Sequence, residues 1–126
     1  MTKPFNINDF PNLPKEIKGL GELAENLWWS WNPEARMLFK RLDRQLWKDS
    51  THNPDKMLKG LPEKVLQSAA NNLNYMRHYE AVMSRFRKYM SLEETWLSEK
   101  KNSDLPRIVY FSAEYGLHHS LPFYAG

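Results

Sequence analysis

The chain has 126 residues, 41% of them hydrophobic and 26% charged, with no cysteine and a net charge of +3 from 18 Lys and Arg against 15 Asp and Glu. Such a composition predicts a folded unit with a core of its own and argues against a mainly disordered chain. It excludes disulfides and thiolate metal sites, gives neither a membrane span nor an apolar signal core after Met1-Thr-Lys-Pro-Phe-Asn, and lacks the basic field that nucleic acid demands, so the cytoplasm is the default expectation.

Pro4, Pro11 and Pro14 punctuate an extended amino-terminal arm whose Phe5, Ile7, Phe10 and Leu13 are placed to lie along the first helix. From Pro14 the apolar residues Ile17, Leu20, Leu23, Leu27 and Trp31 recur at steps of three and four, which predicts a helix over 14–31. Gly19 and Gly21 weaken it, each costing about 1 kcal/mol against alanine. Asn32-Pro33-Glu34 reads as a stop followed by a start, with a capping side-chain oxygen, a proline suited to the first helical position and an acid at the positive end of the dipole. Leu38, Leu42 and Leu46, with Phe39 and Trp47 beside them, carry this second helix to about Lys48. Asn53-Pro54 repeats the device and opens a short third helix with Met57, Leu58 and Leu61.

Pro62 starts the longest segment, in which Val65, Leu66, Ala69, Leu73, Met76, Met83, Phe86 and Met90 follow helical spacing and predict one helix over 62–90. Steps of seven from Leu66 reach Leu73 and then Glu80 and Arg87, so packing inside a bundle is expected rather than a coiled-coil seam. Ser91-Leu-Glu-Glu has the form of a capping box before a last short helix at Thr95-Trp96-Leu97, and a polar loop runs from Lys100 to Pro106. Basic residues thicken between Arg77 and Lys101, but Glu80, Glu93, Glu94 and Glu99 interleave with them, the pattern of a solvated helix face.

The period then changes. Ile108-Val-Tyr-Phe111 is a continuous β-branched and aromatic run between Pro106 and Gly116, as a strand buried on both faces would read. A lone strand leaves its backbone groups unpaired, and no second run of similar quality exists in the chain. The expected architecture is therefore mainly α: a helical bundle of four to five helices over residues 1–104, and one carboxyl-terminal β-strand over 105–126 that belongs to a truncated α/β catalytic domain. Kept ordered, residues 107–113 would pair with another copy, swap between protomers, or lie on the helices as an irregular segment, so a strand-mediated homo-oligomer is one expectation.

Two places carry candidate chemistry. Trp28, Trp29 and Trp31 bring three of the five tryptophans into four positions, and helical geometry turns at least one indole off the core stripe. They read either as a platform for a sugar ring or as a domain-docking surface, since tryptophan buries so much area per residue. Glu114 stands at the end of the predicted strand, where α/β proteins place ligand-binding residues; it holds a substrate hydroxyl, pairs with a basic residue of another domain, or caps its own loop. His118 and His119 would point to opposite sides of an extended segment and so would not share a metal, and no metal site is expected. His52 reads as a turn residue and His78 as a surface residue. Tyr124-Ala125-Gly126, continued by glycines into a helix, would form an anion site from backbone amides.

Taken together, Asn26-Leu-Trp-Trp-Ser-Trp-Asn-Pro-Glu-Ala35, Arg41-Leu-Asp-Arg-Gln-Leu-Trp47, His52-Asn-Pro54 and Val109-Tyr-Phe-Ser-Ala-Glu-Tyr-Gly-Leu-His118 through Ser120-Leu-Pro-Phe-Tyr-Ala-Gly126 resemble the amino-terminal region of bacterial and archaeal α-glucan phosphorylases. This is the branch of the glycogen phosphorylase family that begins with a helical domain of unknown function, DUF3417. The resemblance implies a parent enzyme that cleaves α-1,4-glucan with phosphate to release glucose 1-phosphate, using pyridoxal phosphate held by a lysine in a carboxyl-terminal domain. By the same resemblance Glu114 matches an active-site glutamate, while Tyr124 and Gly126 lead into a glycine loop beside the phosphates. No cofactor lysine of that kind has a counterpart here, so the expectation is a non-catalytic piece that docks on the remaining catalytic domains. Contact with α-glucan is the alternative, as a stand-alone carbohydrate-binding helical module using Trp28, Trp29 and Trp31. A third class, an adaptor for nucleic acid or another partner, rests on the mild positive charge alone.

Overall fold

The computed structural model describes residues 9–92 and Val109. Among these the chain is helical, with a 3-10 turn at Lys15–Ile17 followed by seven α-helices: α1 (Gly19–Glu25), α2 (Trp28–Trp31), α3 (Pro33–Lys40), α4 (Arg44–Asp49), α5 (Pro54–Gly60), α6 (Glu63–Ala70) and α7 (Leu73–Met90). The mainly helical reading holds, but the helices are more numerous and shorter than four or five.

The extra breaks share one cause. Asn26, Asp43 and Asn72 each turn a side-chain oxygen back onto the main chain and start a new element where apolar spacing alone runs on. Asn26 adopts an extended backbone after α1, and its Oδ1 accepts from the Trp28 amide at 3.0 Å, so the helix expected over 14–31 divides there. Asp43 Oδ1 accepts from the Leu46 amide at 2.8 Å and opens α4, dividing the helix expected from Pro33 to Lys48. Asn72 Oδ1 accepts from the Tyr75 amide at 2.9 Å and opens α7, dividing the helix expected over 62–90.

The last break also resets which face is apolar. Read as one helix, the segment puts Leu73 and Met90 on its stripe, yet both are exposed, Leu73 at 68%. The buried face of α7 is Tyr75, Tyr79, Val82, Met83 and Phe86. Two caps behave differently from one another. Asn53 Oδ1 accepts from the Lys56 amide at 3.1 Å and Pro54 occupies the first turn of α5, as expected. Asn32 makes no capping bond with its side chain; Pro33 alone begins α3, and the extended backbone of Asn32 is what a following proline imposes. Ser91 closes α7, its hydroxyl donating to the Lys88 carbonyl at 3.2 Å, and the short helix expected at Thr95-Trp96-Leu97 lies outside the described residues.

α7 is the spine, with α1, α3 and α6 packed along it. Gly19 serves that contact: its amide donates to the Tyr79 hydroxyl at 3.0 Å, and a Cβ there would lie 2.7 Å from that oxygen and 2.6 Å from Met83 Cε. The residue that looks like a weakness in helix propensity is what lets α1 approach α7. A second nucleus lies where α2, α3 and α4 meet. Phe39 and Trp47 stack with centroids 6.1 Å apart at 8°, and Trp29 meets both edge-on at 6.2 and 6.0 Å. Phe10 and Leu13 of the arm are buried, with Lys59 Nζ of α5 5.2 Å from the centre of the Phe10 ring; Phe5 and Ile7 lie outside the described residues.

Of the predicted strand, Val109 is described. It belongs to no strand and is 66% exposed, and the rest of 105–126 lies outside the described residues.

Candidate functional site

The tryptophan run splits between inside and outside. Trp28 and Trp29 are buried, Trp28 against Phe86 at 5.4 Å and Tyr89 at 6.3 Å between centroids, whereas Trp31 is 60% exposed. One indole of the three therefore faces outward, as the helical geometry of positions 28, 29 and 31 requires, and the three do not form one platform. Leu27, a turn earlier, is exposed, and the Asn26 side-chain amide meets Met90 Sδ at 3.5 Å, which ties the start of α2 to the end of α7. Tyr89, Met90 and Leu92 are exposed there too, Met90 at 57%. Exposed large apolar side chains therefore stand on both of the segments that this contact joins.

A different constellation was not legible as a site in the sequence. His78 has a side chain only 14% exposed and joins α7 to the α3 region. Its Nδ1 is 3.0 Å from Arg41 Nη1, and its Nε2 is 3.2 Å from Glu34 Oε2 without forming a hydrogen bond. A guanidinium has only donors, so Nδ1 accepts and the ring proton sits on Nε2, facing the carboxylate. Arg41 also lies over the Tyr75 ring, 5.4 Å from its centre. Tyr75 is fixed in turn: its buried hydroxyl donates to the Leu38 carbonyl at 3.2 Å, and burial pushes its ionisation well above the ordinary range. The Arg41-to-His78 spacing carries no helical period, so only the tertiary fold brings these groups together.

Arg41 borders a cleft of about 380 Å³ that also takes in Lys64, Val65, Ser68, Asn72 and Tyr75. A second cleft, of about 350 Å³, is lined by Pro33, Arg36, Met37, Lys40, Trp47 and His52. His52 of this lining and Thr51 before it hold φ of 56° and 58°, a left-handed pair that ends α4, and the His52 amide donates to the Trp47 carbonyl at 3.0 Å. His52 is a turn residue, with its ring 5.2 Å from that of Trp47. For threonine this backbone is strained, because a β-branched side chain crowds it.

Among the described residues no three His, Asp or Glu stand close enough to hold a metal, and no helix is long and apolar enough to cross a membrane. Glu114, Tyr124 and Gly126 lie outside the described residues, as do His118 and His119.

Residues 13–121 match the family described as "Protein of unknown function (DUF3417)", and the chain belongs to that family. It is 38% identical over 114 residues to the maltodextrin phosphorylase of Thermococcus litoralis, which covers 90% of this chain and 14% of that protein. It is 39% identical over 112 residues to the glycogen phosphorylase of Aquifex aeolicus, covering 89% of this chain and 15% of the relative. With the glycogen phosphorylase of Mycobacterium tuberculosis the identity is 29% over 121 residues, 91% of this chain and 14% of the other. The resemblance to the amino-terminal region of these phosphorylases is thereby shown, and the chain spans about one-seventh of their length. No solved structure matches it significantly.

Proposed function

We propose that this chain is the helical amino-terminal part of an α-glucan phosphorylase and that it works by docking on the catalytic body rather than by chemistry of its own. The parent reaction in this reading is the reversible phosphorolysis of α-1,4-glucan to glucose 1-phosphate. The observation that carries the docking role is the exposure of Leu27 and Trp31 at α2 and of Tyr89, Met90 and Leu92 at the end of α7, two segments joined by the contact of Asn26 with Met90. Large apolar side chains clustered at a surface are the mark of an interface. The relatives supply the occupant: each carries several times the length of this chain, and that remainder is what such an end would meet.

Pyridoxal phosphate belongs elsewhere in this reading. The lysine that holds it would lie, as the family resemblance implies, in the remainder of the parent chain. Residues 1–104 form the docking domain, and 105–126 begin the catalytic domain, where Glu114, Tyr124 and Gly126 border its substrate site.

The test is a titration of Trp31 fluorescence. Added catalytic body of the Aquifex aeolicus glycogen phosphorylase, lacking its matching segment, should give a saturable blue shift that is lost in Trp31→Phe, while maltoheptaose should give none. A saturable shift with maltoheptaose and none with the catalytic body would establish the carbohydrate-binding alternative instead.

A further inference from the structure

We infer that the cleft between α6 and the start of α7 binds a small phosphorylated sugar, Arg41 and Lys64 taking the phosphate and Ser68 and Asn72 the hydroxyls. Its volume of about 380 Å³ lies in the range of small-ligand sites, roughly 300–1,000 Å³. Two cations from separate elements face it, and no Asp or Glu is among the residues that line it. Val65 and Tyr75 give it an apolar floor.

The argument turns on how Arg41 is held. Among the described residues its partners are the His78 imidazole at 3.0 Å and the Tyr75 ring at 5.4 Å, neither of them a carboxylate. A ring and a neutral acceptor fix the guanidinium without cancelling its charge, and Glu34 stands 3.2 Å from the other nitrogen of the same imidazole rather than on Arg41. The remaining N–H groups are free for an oxyanion, and little side-chain entropy is left to lose on binding. Lys64 is exposed and adds a second, mobile positive charge from α6. Asn72 uses its Oδ1 to cap α7, so its Nδ2 stays available to donate. The positive end of the long helix α7 adds to the same potential. The second cleft is also basic, through Arg36 and Lys40, but neither is held between partners in this way.

The full 126-residue chain is titrated with glucose 1-phosphate, inorganic phosphate and maltose at physiological salt, and amide NMR shifts are followed. Glucose 1-phosphate should bind saturably, tighter than phosphate alone, with shifts at Lys64, Ser68 and Asn72. Lys64→Glu should weaken it by about tenfold or more, and Arg36→Glu in the second cleft should leave it within about twofold. Lys64 touches no described partner, so the variant should fold, and circular dichroism checks that it does. Absence of saturation, equal affinity for inorganic phosphate, or equal loss in Lys64→Glu and Arg36→Glu would each overturn the assignment. Docking through Trp31 and Met90 involves none of these residues, so the two ideas fail separately.

Discussion

Trp29 and Trp31 stand two residues apart and meet opposite surroundings. Trp29, 4% exposed, closes an aromatic cluster with Phe39 and Trp47, whereas Trp31, 60% exposed, lies outside that cluster. The same residue type is thus spent on stability in one place and left available in the other. Aromatic content in a sequence predicts buried area but not whether the partner is the chain itself or another molecule.

Substitutions can break that contrast, and the largest effect belongs to the interior. Phe39→Ala should cost about 3–5 kcal/mol, because the ring is fully buried between Trp29 and Trp47 and leaves a cavity that neither can fill. Chemical denaturation of the variant, read by far-ultraviolet circular dichroism, measures it; a loss under about 1 kcal/mol would mean that the cluster is not a core.

Tyr75→Phe is a smaller probe of the interior, expected to cost about 1 kcal/mol through the lost bond to the Leu38 carbonyl. It also carries a pH signature. Burial raises the ionisation of Tyr75 and Tyr79 above their ordinary value of 10.0, so their contribution is fully present below that pH. Stability then falls as the pH climbs past it, because the unfolded chain gives up protons that the folded chain keeps. The alkaline slope of stability should be shallower in Tyr75→Phe than in the parent.

At the exposed end the expected effect is smallest. Trp31→Ser should change stability by no more than about 0.5 kcal/mol, the range for surface positions away from any packed feature. A much larger loss would put Trp31 in the core and erase the comparison.

Helical class, the burial of Leu20, Leu23, Leu38 and Phe86, and the Asn53-Pro54 start were legible because each is a local signal repeated at a fixed period. What escaped was also local, but carried by single polar atoms. Asn26, Asp43 and Asn72 look like ordinary polar positions on continuous apolar stripes, and only their hydrogen bonds to the following amides show that the stripe is cut. The isolated Asx residues before Trp28, Arg44 and Leu73 are the local signal of those starts, and the start at Leu73 turns Tyr75 and Tyr79 inward. Gly19 differs again: its value lies in a contact sixty residues away, to which propensity is blind. The Glu34, Arg41, His78 and Tyr75 group has the same origin, since no spacing rule joins them. The tryptophan motif was the reverse case, visible at once in sequence and divided by the fold between two uses.

The central claim is that the Leu27, Trp31 and Met90 end is built to be covered by the catalytic body of a phosphorylase. Its most direct test is co-purification of the tagged chain with the Aquifex aeolicus glycogen phosphorylase lacking its matching segment, comparing the parent with a Trp31→Asp, Met90→Asp double variant of unchanged melting temperature. The account expects a stoichiometric complex with the parent and none with the double variant. No complex with the parent, or equal recovery with both, would contradict it.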